Sequence, residues 1–563
     1  MNRRNFTKIG TTVIGLSPFS GFAWSEKPQK PNWLIKLIHL NDSYIKSSLQ
    51  NQIQDQNHPF YGAIRNGEEI PDAVATSGVL ALWAIGIACP ESDYYQSTNL
   101  LNQFESGAQF LLKAQHRDGT IDLLSSNFHS PPDTAFSVEK IARAYTLLAT
   151  VPKAEKALIP TKTYLLRAGE ALVIGGIHTP NHRWVVTAAL LQIHALFPDK
   201  RYVTRAEEWL LEHIDIDPDG QYTEKSAGGY TAIVNRVLID VALGLNKPEI
   251  LDAVRKNLNM TMYYTHPNGE VVTEASNRQD KGTINFLQGY YYSYRKLAIR
   301  DQNPQFAAMC RLIEETAKDR IADNLSAYLL EQDLWKELPN PGKLPTEYVK
   351  AFPYSGVVRI RKGNWDATLL SNNPGFLTFQ KGKAVLQGMR IAASFFGKGQ
   401  FQSSSITQQG DSWVLTNALE GPYYQPYPKD KIDPNGNLSN MPRTQRTKSE
   451  IQYLRYSTTV TPQENGIQVD FVIEGTDGVP VSLELIFRPG GILSGINPMP
   501  GRDKSFLFDS KIAQYTMGED SIHISPGLQQ HKGIVLRGAL PPMDAPTVYL
   551  TGFTPFKHSI KIY

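Results

Sequence analysis

The stretch DGQYTEKSAGGYTAIVN, from Asp219 to Asn235, contains a pattern that the chain uses three times. The other copies are DGTIDLLSSNFHSPPDTAF, which begins at Asp118, and NGEVVTEASNRQDKGTINF, which begins at Asn268. Each copy joins an acidic or amide residue and a glycine to a short extended piece, a serine-containing loop and an amphipathic helix. The chain therefore repeats one structural unit.

The spacing of the copies indicates how the units are arranged. Gly220 and Gly269 are 49 positions apart, and Gly119 lies 101 positions before Gly220, close to two such units. A period of about fifty residues with two helices per unit predicts helical hairpins stacked around a ring.

The chain has two halves with different hydrophobic periods. From Trp33 to about Leu330 apolar residues recur at helical spacing, as in AVATSGVLALWAIGIA and FSVEKIARAYTLLATV. After Pro339 they alternate with polar residues, as in NGIQVDFVIEG and VSLELIFRPGG, between glycine-containing turns. The proline-rich stretch ELPNPGKLPTEYVKAFPYS separates the halves. The sequence predicts an (α/α) toroid at 32–330, a linker at 331–355 and an antiparallel β-sandwich at 356–563.

The N-terminal stretch MNRRNFTKIGTTVIGLSPFSGFAW is typical of an export signal. A twin arginine, Arg3 and Arg4, precedes a modest apolar run that ends in small residues. This pattern predicts a Tat-type signal peptide at residues 1–23, cleaved after Ala23, and a periplasmic protein. The alternative is a chance pair of arginines in a disordered tail.

The charge balance excludes a general polyanion-binding protein. The chain has 57 basic and 54 acidic residues, a net charge of +3, so nothing favours nucleic acid or a membrane surface as a partner. An anionic substrate must then be bound by local residues. Cys89 and Cys310 have no metal-ligand spacing and are expected to be buried and free.

The predicted ring indicates where functional residues lie. The ends of the inner helices meet at a shared central cleft, where polar loop residues converge while the helix bodies stay apolar. The candidates are the polar residues just before each inner helix: Asn181, His182, Arg183 and Trp184; Glu224 and Tyr230 with Asn235 and Arg236; His129 with Asp133; and Glu274 with Asn277 and Arg278.

His182 is predicted to lie in the first turn of a helix, because Thr179 and Pro180 fit an N-cap and a first helical position. The positive end of that helix lowers the pKa of the imidazole, which leaves a neutral ring able to accept a proton. Trp184 is a candidate platform for a sugar ring. The simpler interpretations are a histidine bonded to a neighbouring carbonyl and a tryptophan that only packs.

Tyr230 is a candidate acid or base. It follows EKSAGG, whose paired glycines allow the loop to bring the hydroxyl to a ligand. A tyrosine acts as a general base where neighbouring cations lower its pKa, and Arg183 and Arg236 are candidates for that charge. The alternative is a tyrosine that packs over a loop.

An Asn-His pair that opens an inner helix, followed some fifty residues later by DGQYTEKSAGGY, resembles the Asn-His…Tyr pattern of exported polysaccharide lyases. These are the heparinase II/III-like enzymes and oligoalginate lyases, which join an (α/α) toroid to a β-sandwich. The resemblance implies that Asn181 and His182 bind and neutralise a uronate carboxylate. It also implies that Tyr230 takes the C5 proton or protonates the leaving oxygen.

The elimination needs charge stabilisation beside a base. Removal of a proton alpha to a carboxylate adds negative charge to it, and each well-placed donor stabilises that charge by roughly 3–4 kcal/mol. The proposed donors are Asn181, His182, Arg183 and Arg236, with Trp184, His129 and Glu224 as further substrate-binding residues. The expected partner is an acidic oligosaccharide or polysaccharide with glucuronate-type residues, and no metal or organic cofactor is expected.

The chain departs from the family pattern in its second half. Those lyases usually place a further catalytic histidine, and often zinc, in the sandwich, but no histidine occurs here between His266 and His523. A second proton-transfer residue must come from the toroid, with His129 or His178 as candidates. The leaving group stays open between a glycosidic oxygen and water, the latter as in an ulvan oligosaccharide dehydratase.

Two other classes of function stay open. A glycoside hydrolase such as a glucuronidase needs two carboxyl groups across the scissile bond, about 5–9.5 Å apart, and Glu224 and Glu274 hold matching places in two repeats. Asp133 is a further candidate for that role. A non-catalytic protein that only binds an acidic glycan is the third class. The sequence does not indicate the oligomeric state.

Overall fold

The computed structural model describes residues 29–563 and divides them into a helical half and a strand-rich half. The predicted signal peptide at residues 1–23 lies outside the described residues. The helices are α1 (Asn32–Ser48), α2 (Ala73–Ala88), α3 (Thr98–Ala114), α4 (Pro131–Leu148), α5 (Glu155–Ile174), α6 (Pro180–Leu196), α7 (Lys200–Leu210), α8 (Tyr230–Gly244), α9 (Leu251–Thr261), α10 (Tyr291–Asp301), α11 (Pro304–Thr316) and α12 (Leu325–Leu330).

The helices form a closed ring of hairpins, as the repeat predicts. The inner helices α2, α4, α6 and α8 each pack against the next, and the outer helices α3, α5 and α7 cover them. Helix α12 packs against α1, α2 and α4, so that the first and last hairpins meet. The predicted (α/α) toroid is confirmed.

The composition of each helix explains which layer it occupies. Helix α2 is apolar almost all round because it contacts neighbours on both sides of the ring. Helix α7 carries many charges and buries only Tyr202, Ala206 and Trp209, the face turned to the ring.

The repeated glycines mark one turn of each unit. Gly119, Gly220 and Gly269 all have positive φ, between +85° and +105°. Gly62 has the same conformation, and a Cβ there would lie 2.1 Å from the carbonyl oxygen of Ser106. Only glycine fits such a turn against the following outer helix. Gly62 belongs to a fourth copy of the unit, which the sequence pattern did not reveal.

The second half is a two-sheet β-sandwich. The strands are β1 (Ile64–Arg65), β2 (Pro71–Asp72), β3 (Ile121–Leu123) and β4 (Asn127–Ser130) in the ring, then β5 (Glu347–Phe352), β6 (Val357–Lys362), β7 (Trp365–Leu370), β8 (Leu377–Lys381), β9 (Ala384–Ala393), β10 (Thr407–Gln409), β11 (Ser412–Tyr424), β12 (Lys448–Pro462), β13 (Ile467–Gly475), β14 (Pro480–Phe487), β15 (Ile492–Ser494), β16 (Asn497–Pro498), β17 (Ser505–Leu507), β18 (Ala513–Met517), β19 (Asp520–Ser525), β20 (Thr547–Phe553) and β21 (Phe556–Ile562).

The two sheets of the sandwich are mostly antiparallel. One sheet has the strand order β16-β17-β20-β14-β9-β8-β7-β6-β5, and the other has the order β10-β11-β12-β13-β21-β19-β18-β15. All pairs are antiparallel except β17 with β20.

The predicted linker at 331–355 needs one correction. Strand β5 lies within it and pairs along its whole length with β6, so the sandwich begins before residue 356. The surrounding prolines hide this strand in the sequence, because they interrupt the alternating pattern on both sides of EYVKAF.

The sandwich is docked on the ring through both apolar and ionic contacts. Phe352, Val357 and Leu370 belong to the same buried apolar cluster as the toroid core. Arg488 donates two hydrogen bonds to the Glu270 carboxylate, at 3.0 and 2.8 Å. No helix among residues 29–563 is both long and apolar enough to cross a membrane. Both cysteines are buried and free, as predicted.

Candidate active site

Helix α6 begins as its sequence predicts. Thr179 has extended backbone angles at the N-cap position, and Pro180 is the first helical residue. Asn181 and His182 therefore lie in the first turn. The Thr179 hydroxyl does not cap the backbone but accepts a hydrogen bond from Asn181 Nδ2 at 3.2 Å.

Asn181 connects α6 to the loop before α8. Its backbone N–H and its Nδ2 both donate to Glu224 Oε1, at 2.8 and 2.6 Å. Both residues are shielded from solvent, since Asn181 is buried and the Glu224 side chain is 8% exposed. The repeat thus brings the starts of two adjacent inner helices together at one carboxylate.

Arg278 completes this group from the third repeat. Its Nε lies 3.6 Å from Glu224 Oε2, and its guanidinium carbon lies 5.3 Å from the centre of the Tyr230 ring. At that distance the cation is placed against the face of the aromatic ring. We call Asn181, His182, Glu224, Tyr230 and Arg278 the cleft cluster.

Asp280 holds the two loops of the cleft cluster in register. It accepts hydrogen bonds from Ser226 Oγ at 2.9 Å and from the Gly228 N–H at 2.8 Å. Ser226 Oγ in turn accepts the backbone N–H of Tyr230 at 3.1 Å. The paired glycines were expected to give a flexible loop, but these bonds fix the start of α8 and with it the position of Tyr230.

His182 is buried at the base of the cluster. Its ring meets His178 edge-on at 4.7 Å and Phe136 at 6.2 Å between centroids. Burial, with smaller contributions from His178 and Arg278, lowers the pKa of His182 to about 4, against the opposite effect of Asp133. The predicted neutral imidazole is confirmed, but its main cause is burial rather than the end of the helix.

Several buried atoms of the cleft cluster make no hydrogen bond. Within residues 29–563 these are Asn181 Oδ1 and His182 Nδ1, together with Glu224 Oε2 and Arg278 Nε, which lie 3.6 Å apart as an ion pair. Buried polar atoms are normally paired, so a concentration of unpaired ones at a cleft indicates a place for a ligand or water.

Arg183 and Trp184 are not part of this site, which corrects their predicted roles. Trp184 is fully buried, and its indole N–H donates to Asp215 at 3.0 Å, so its faces are not accessible to a sugar. Arg183 lies over the Trp184 ring and forms ion pairs with Glu212 and Asp215. Along the helix these two side chains point to the outer layer, away from His182.

Arg236 and His129 also have partners other than the cleft cluster. Arg236 is paired with Glu139 deeper in the ring, so it does not supply the cation beside Tyr230. His129 is exposed, with Nδ1 2.6 Å from Asp118 Oδ2 and its ring stacked on His116. Of the two histidines considered for a second proton transfer, only His178 contacts His182 in the described structure.

Glu274 belongs to a separate group at the interface of the two domains. Its Oε1 accepts the hydroxyls of Thr368 and Thr378 at 2.7 and 2.9 Å, and its Oε2 lies 3.5 Å from His266 Nε2. The other nitrogen of His266 contacts Asp366, which is paired with Arg359. We call His266, Glu274, Arg359 and Asp366 the interface cluster.

The alternative of a Glu224–Glu274 hydrolytic pair gains no support from these contacts. Glu274 is engaged with strands β7 and β8, whereas Glu224 is bound by α6. The matching positions in the repeat therefore serve two different purposes.

The side chains of the sandwich do not fit the zinc site that the resemblance implies there. Among residues 29–563 no group of three His, Cys, Asp or Glu side chains is arranged to hold a metal ion. The sandwich histidines have other contacts: His523 stacks on Tyr563, while Nε2 of His531 and of His558 lies within hydrogen-bond distance of backbone carbonyls.

Arg278 was a cleft candidate without a predicted role, and Asp280 was not predicted at all. Arg278 follows Asn277 as His182 follows Asn181, and this parallel between repeats was the available signal. Asp280 had no signal, since its role depends on how two loops meet.

The fold occurs in other solved structures. No protein-family model matches the chain, and no curated protein matches it. Heparinase III matches with a TM-score of 0.56 at 11% identity over 95% of this chain and 84% of that one. The chondroitin AC lyase of Streptomyces coelicolor A3 matches at 0.56 and 11% over 96% and 80%. A Paenibacillus xanthan lyase matches at 0.55 and 11% over 87% and 51%. This likeness confirms the expected fold, a toroid followed by a sandwich.

Proposed function

We propose that the protein is a carbon-oxygen lyase that acts on uronate residues of an acidic oligosaccharide or polysaccharide. The observation that carries the proposal is the cleft cluster, in which a tyrosine, a cation and a neutral histidine meet around unpaired buried atoms. The fold shared with heparinase III, chondroitin AC lyase and xanthan lyase supports it. Export through the signal at residues 1–23 is part of the same proposal.

Arg278 is the proposed partner of the uronate carboxylate. It is the cation of the cleft cluster, and its Nε makes no hydrogen bond, since Glu224 Oε2 lies 3.6 Å away. The resemblance assigned neutralisation to Asn181, but both amide hydrogens of Asn181 face Glu224 and Thr179. In the proposal Asn181 therefore acts by holding Glu224, which positions Arg278.

Tyr230 is the proposed base. The phenolate form of Tyr230 takes the proton from C5, and the C–H electron pair forms the C4–C5 double bond as the C4–O bond breaks. The departing oxygen leaves with the electron pair of that bond and receives the proton back from the Tyr230 hydroxyl, which restores the phenolate, so no second acid is needed. Arg278 stabilises the phenolate across the ring face before the transfer and the substrate carboxylate, where negative charge grows, during it.

His182 has a supporting role that requires a neutral ring. With its pKa lowered to about 4 it carries no charge near neutral pH, so it binds a substrate oxygen without repelling Arg278. His178, at its edge, is the proposed route by which a proton reaches or leaves this position.

The experiment is an assay of glucuronate-containing oligosaccharides that follows ultraviolet absorbance and product mass together. Elimination creates a double bond conjugated with the carboxylate, which absorbs. Cleavage products with this chromophore indicate a polysaccharide lyase, and loss of one water without cleavage indicates a dehydratase. Saturated cleavage products, each carrying added water, would refute the proposal in favour of hydrolysis.

A further inference from the structure

A cavity of about 360 Å³ lies at the centre of the ring, below the cleft cluster. Helices α2, α4 and α8 form most of its wall, and the segments around Gln288 and Asn324 complete it. Its volume is in the range of small-molecule sites, which begin at about 300 Å³. The elimination proposed above makes no use of this space.

The cavity lies beside the cleft cluster. On α4, Lys140 lies one helical turn after Phe136, roughly 6 Å along the helix axis. Phe136 contacts His182, whereas Lys140 lines the cavity. On α8 the cavity is lined by Gly229 and Ile233, which flank Tyr230 along the helix. A ligand in the cavity is thus about one sugar ring away from the reacting groups.

An ion-pair layer forms the floor of the cavity. Glu139 pairs with Arg236 and lies 3.5 Å from Arg143, which in turn donates to Asp240 at 3.0 Å. Arg143 and Asp240 also line a second cavity, of about 250 Å³, between the opposite ends of the inner helices. The layer therefore separates the two cavities, so a chain that enters the 360 Å³ cavity cannot pass through it into the other one.

Lys140 is the cation in this cavity that the floor does not neutralise. Arg143 and Arg236 have carboxylate partners, but Lys140 makes no hydrogen bond or ion pair within residues 29–563. The nearest acidic influence is Asp72, whose carboxylate is occupied as the N-cap of α2. Burial lowers the pKa of Lys140, which is the effect expected of an ammonium group without a counter-charge.

We propose that the central cavity receives the terminal sugar of the substrate and that Lys140 binds an anionic group on that sugar. Because the floor blocks passage of a chain, the cleft cluster then acts next to a chain end rather than at internal positions. This inference rests on the proposed lyase function, and it adds the direction and end-specificity of binding.

The first test measures binding without catalysis. Titration calorimetry with glucuronate and, separately, with a 6-sulfated hexose compares the wild-type protein with Lys140→Met and with Lys156→Met, an exposed lysine on the outer helix α5. We expect at least tenfold weaker binding in Lys140→Met alone, and the better ligand identifies a carboxylate or a sulfate as the anion. No binding of either ligand to the wild type, or unchanged binding in Lys140→Met, would overturn the inference.

The second test reads the products of polymer degradation. Acting at a chain end releases unsaturated products of one small size from the start, or removes water only from terminal residues. A ladder of unsaturated products of many sizes would overturn the inference while leaving the lyase function intact. Absence of any unsaturated product contradicts the lyase function itself, and the calorimetry then decides the cavity separately.

A cavity-filling variant tests the same inference without depending on the folding of Lys140→Met. Ala81 lines the cavity from α2 and is not part of the cleft cluster. Ala81→Phe is expected to weaken glucuronate binding at least tenfold with helical circular dichroism unchanged. A folded Ala81→Phe protein that binds as the wild type does would count against the cavity as the binding site.

Discussion

The cleft cluster and the interface cluster are built from the same kinds of residue, around glutamates at matching places in the repeat. Each contains a histidine, a glutamate and an arginine, and Glu224 and Glu274 hold the matching positions. Their hydrogen bonding differs. In the interface cluster both nitrogens of His266 and both oxygens of Glu274 have protein partners. In the cleft cluster Asn181 Oδ1 and His182 Nδ1 have none in the described structure, and the one ion pair of Arg278 Nε is the 3.6 Å contact with Glu224 Oε2.

The difference shows how one repeated loop serves either packing or binding. Where the sandwich covers the loop, Thr368 and Thr378 satisfy the glutamate and the ions become a structural joint. Where the loop faces the open end of the ring, Asn181 satisfies only one oxygen of Glu224, and the other oxygen lies 3.6 Å from Arg278 Nε without a hydrogen bond. An ionisable group in a cleft is thus a candidate site chiefly when the protein leaves it incomplete.

Tyr230→Phe is expected to have the largest effect on activity. It removes the proposed base and nothing else, because the Tyr230 hydroxyl makes no hydrogen bond in the described structure. Loss of a general base lowers kcat by roughly 10²–10⁴-fold. Initial rates from the ultraviolet assay give kcat and KM, and thermal unfolding should be unchanged. A variant with more than a tenth of the wild-type kcat would remove Tyr230 from the mechanism.

His266→Gln tests the structural role of the interface cluster. Without the imidazolium, Asp366 and Glu274 remain as buried carboxylates that have lost a counter-charge. Breaking a buried ion pair in this way lowers the free energy of unfolding by about 3–5 kcal/mol. We expect chemical denaturation to show this loss while kcat falls much less. His39→Gln, an exposed histidine, is the control and should change neither quantity. An equal fall in kcat and no change in stability would show that the interface cluster, too, belongs to the reaction.

Arg278→Met is expected to lower kcat/KM by roughly 10²–10³-fold, the effect of removing one charge-stabilising donor. Arg183→Met is the matched control, since Arg183 lies next to His182 in sequence but is paired with Glu212 and Asp215. The control should keep near wild-type activity and lose some stability. If Arg183→Met were the more damaging to activity, the corrected assignment of these two arginines would be wrong.

The fold could be predicted from the sequence because its signals are local and repeated. Helical spacing up to Leu330 and alternation after Pro339 are visible without tertiary information, and so is the turn that needs Gly220. Strand β5 was missed, since its alternation is short and surrounded by prolines.

The candidate site could be predicted only in part, for a physical reason. The start of α6 has a local signature, so Asn181 and His182 were located correctly. The directions of Arg183 and Trp184 depend on which face of the helix meets the outer layer, and the partner of Arg236 lies almost a hundred residues away. Arg278 comes to Tyr230 only when the loops of two repeats meet around Asp280.

The pH dependence separates the two clusters, because their histidines shift in opposite directions. Burial alone lowers the pKa of His266, but the charges of Asp366 and Glu274 outweigh it and raise that pKa to about 9. A histidine with a raised pKa stabilises the fold fully below about pH 6.5, and this contribution, on the order of 3 kcal/mol, is lost as pH rises through about 9. His182 has its pKa lowered to about 4, so the cleft should keep its neutral imidazole down to about pH 5.

We therefore expect the free energy of unfolding to fall on the alkaline side, measured by chemical denaturation between pH 6 and 10, and His266→Gln to flatten that profile. A profile that stays steep in His266→Gln would place the titrating group elsewhere, and an acid limb of kcat/KM near 6.5 would show that His182 is not held neutral by burial.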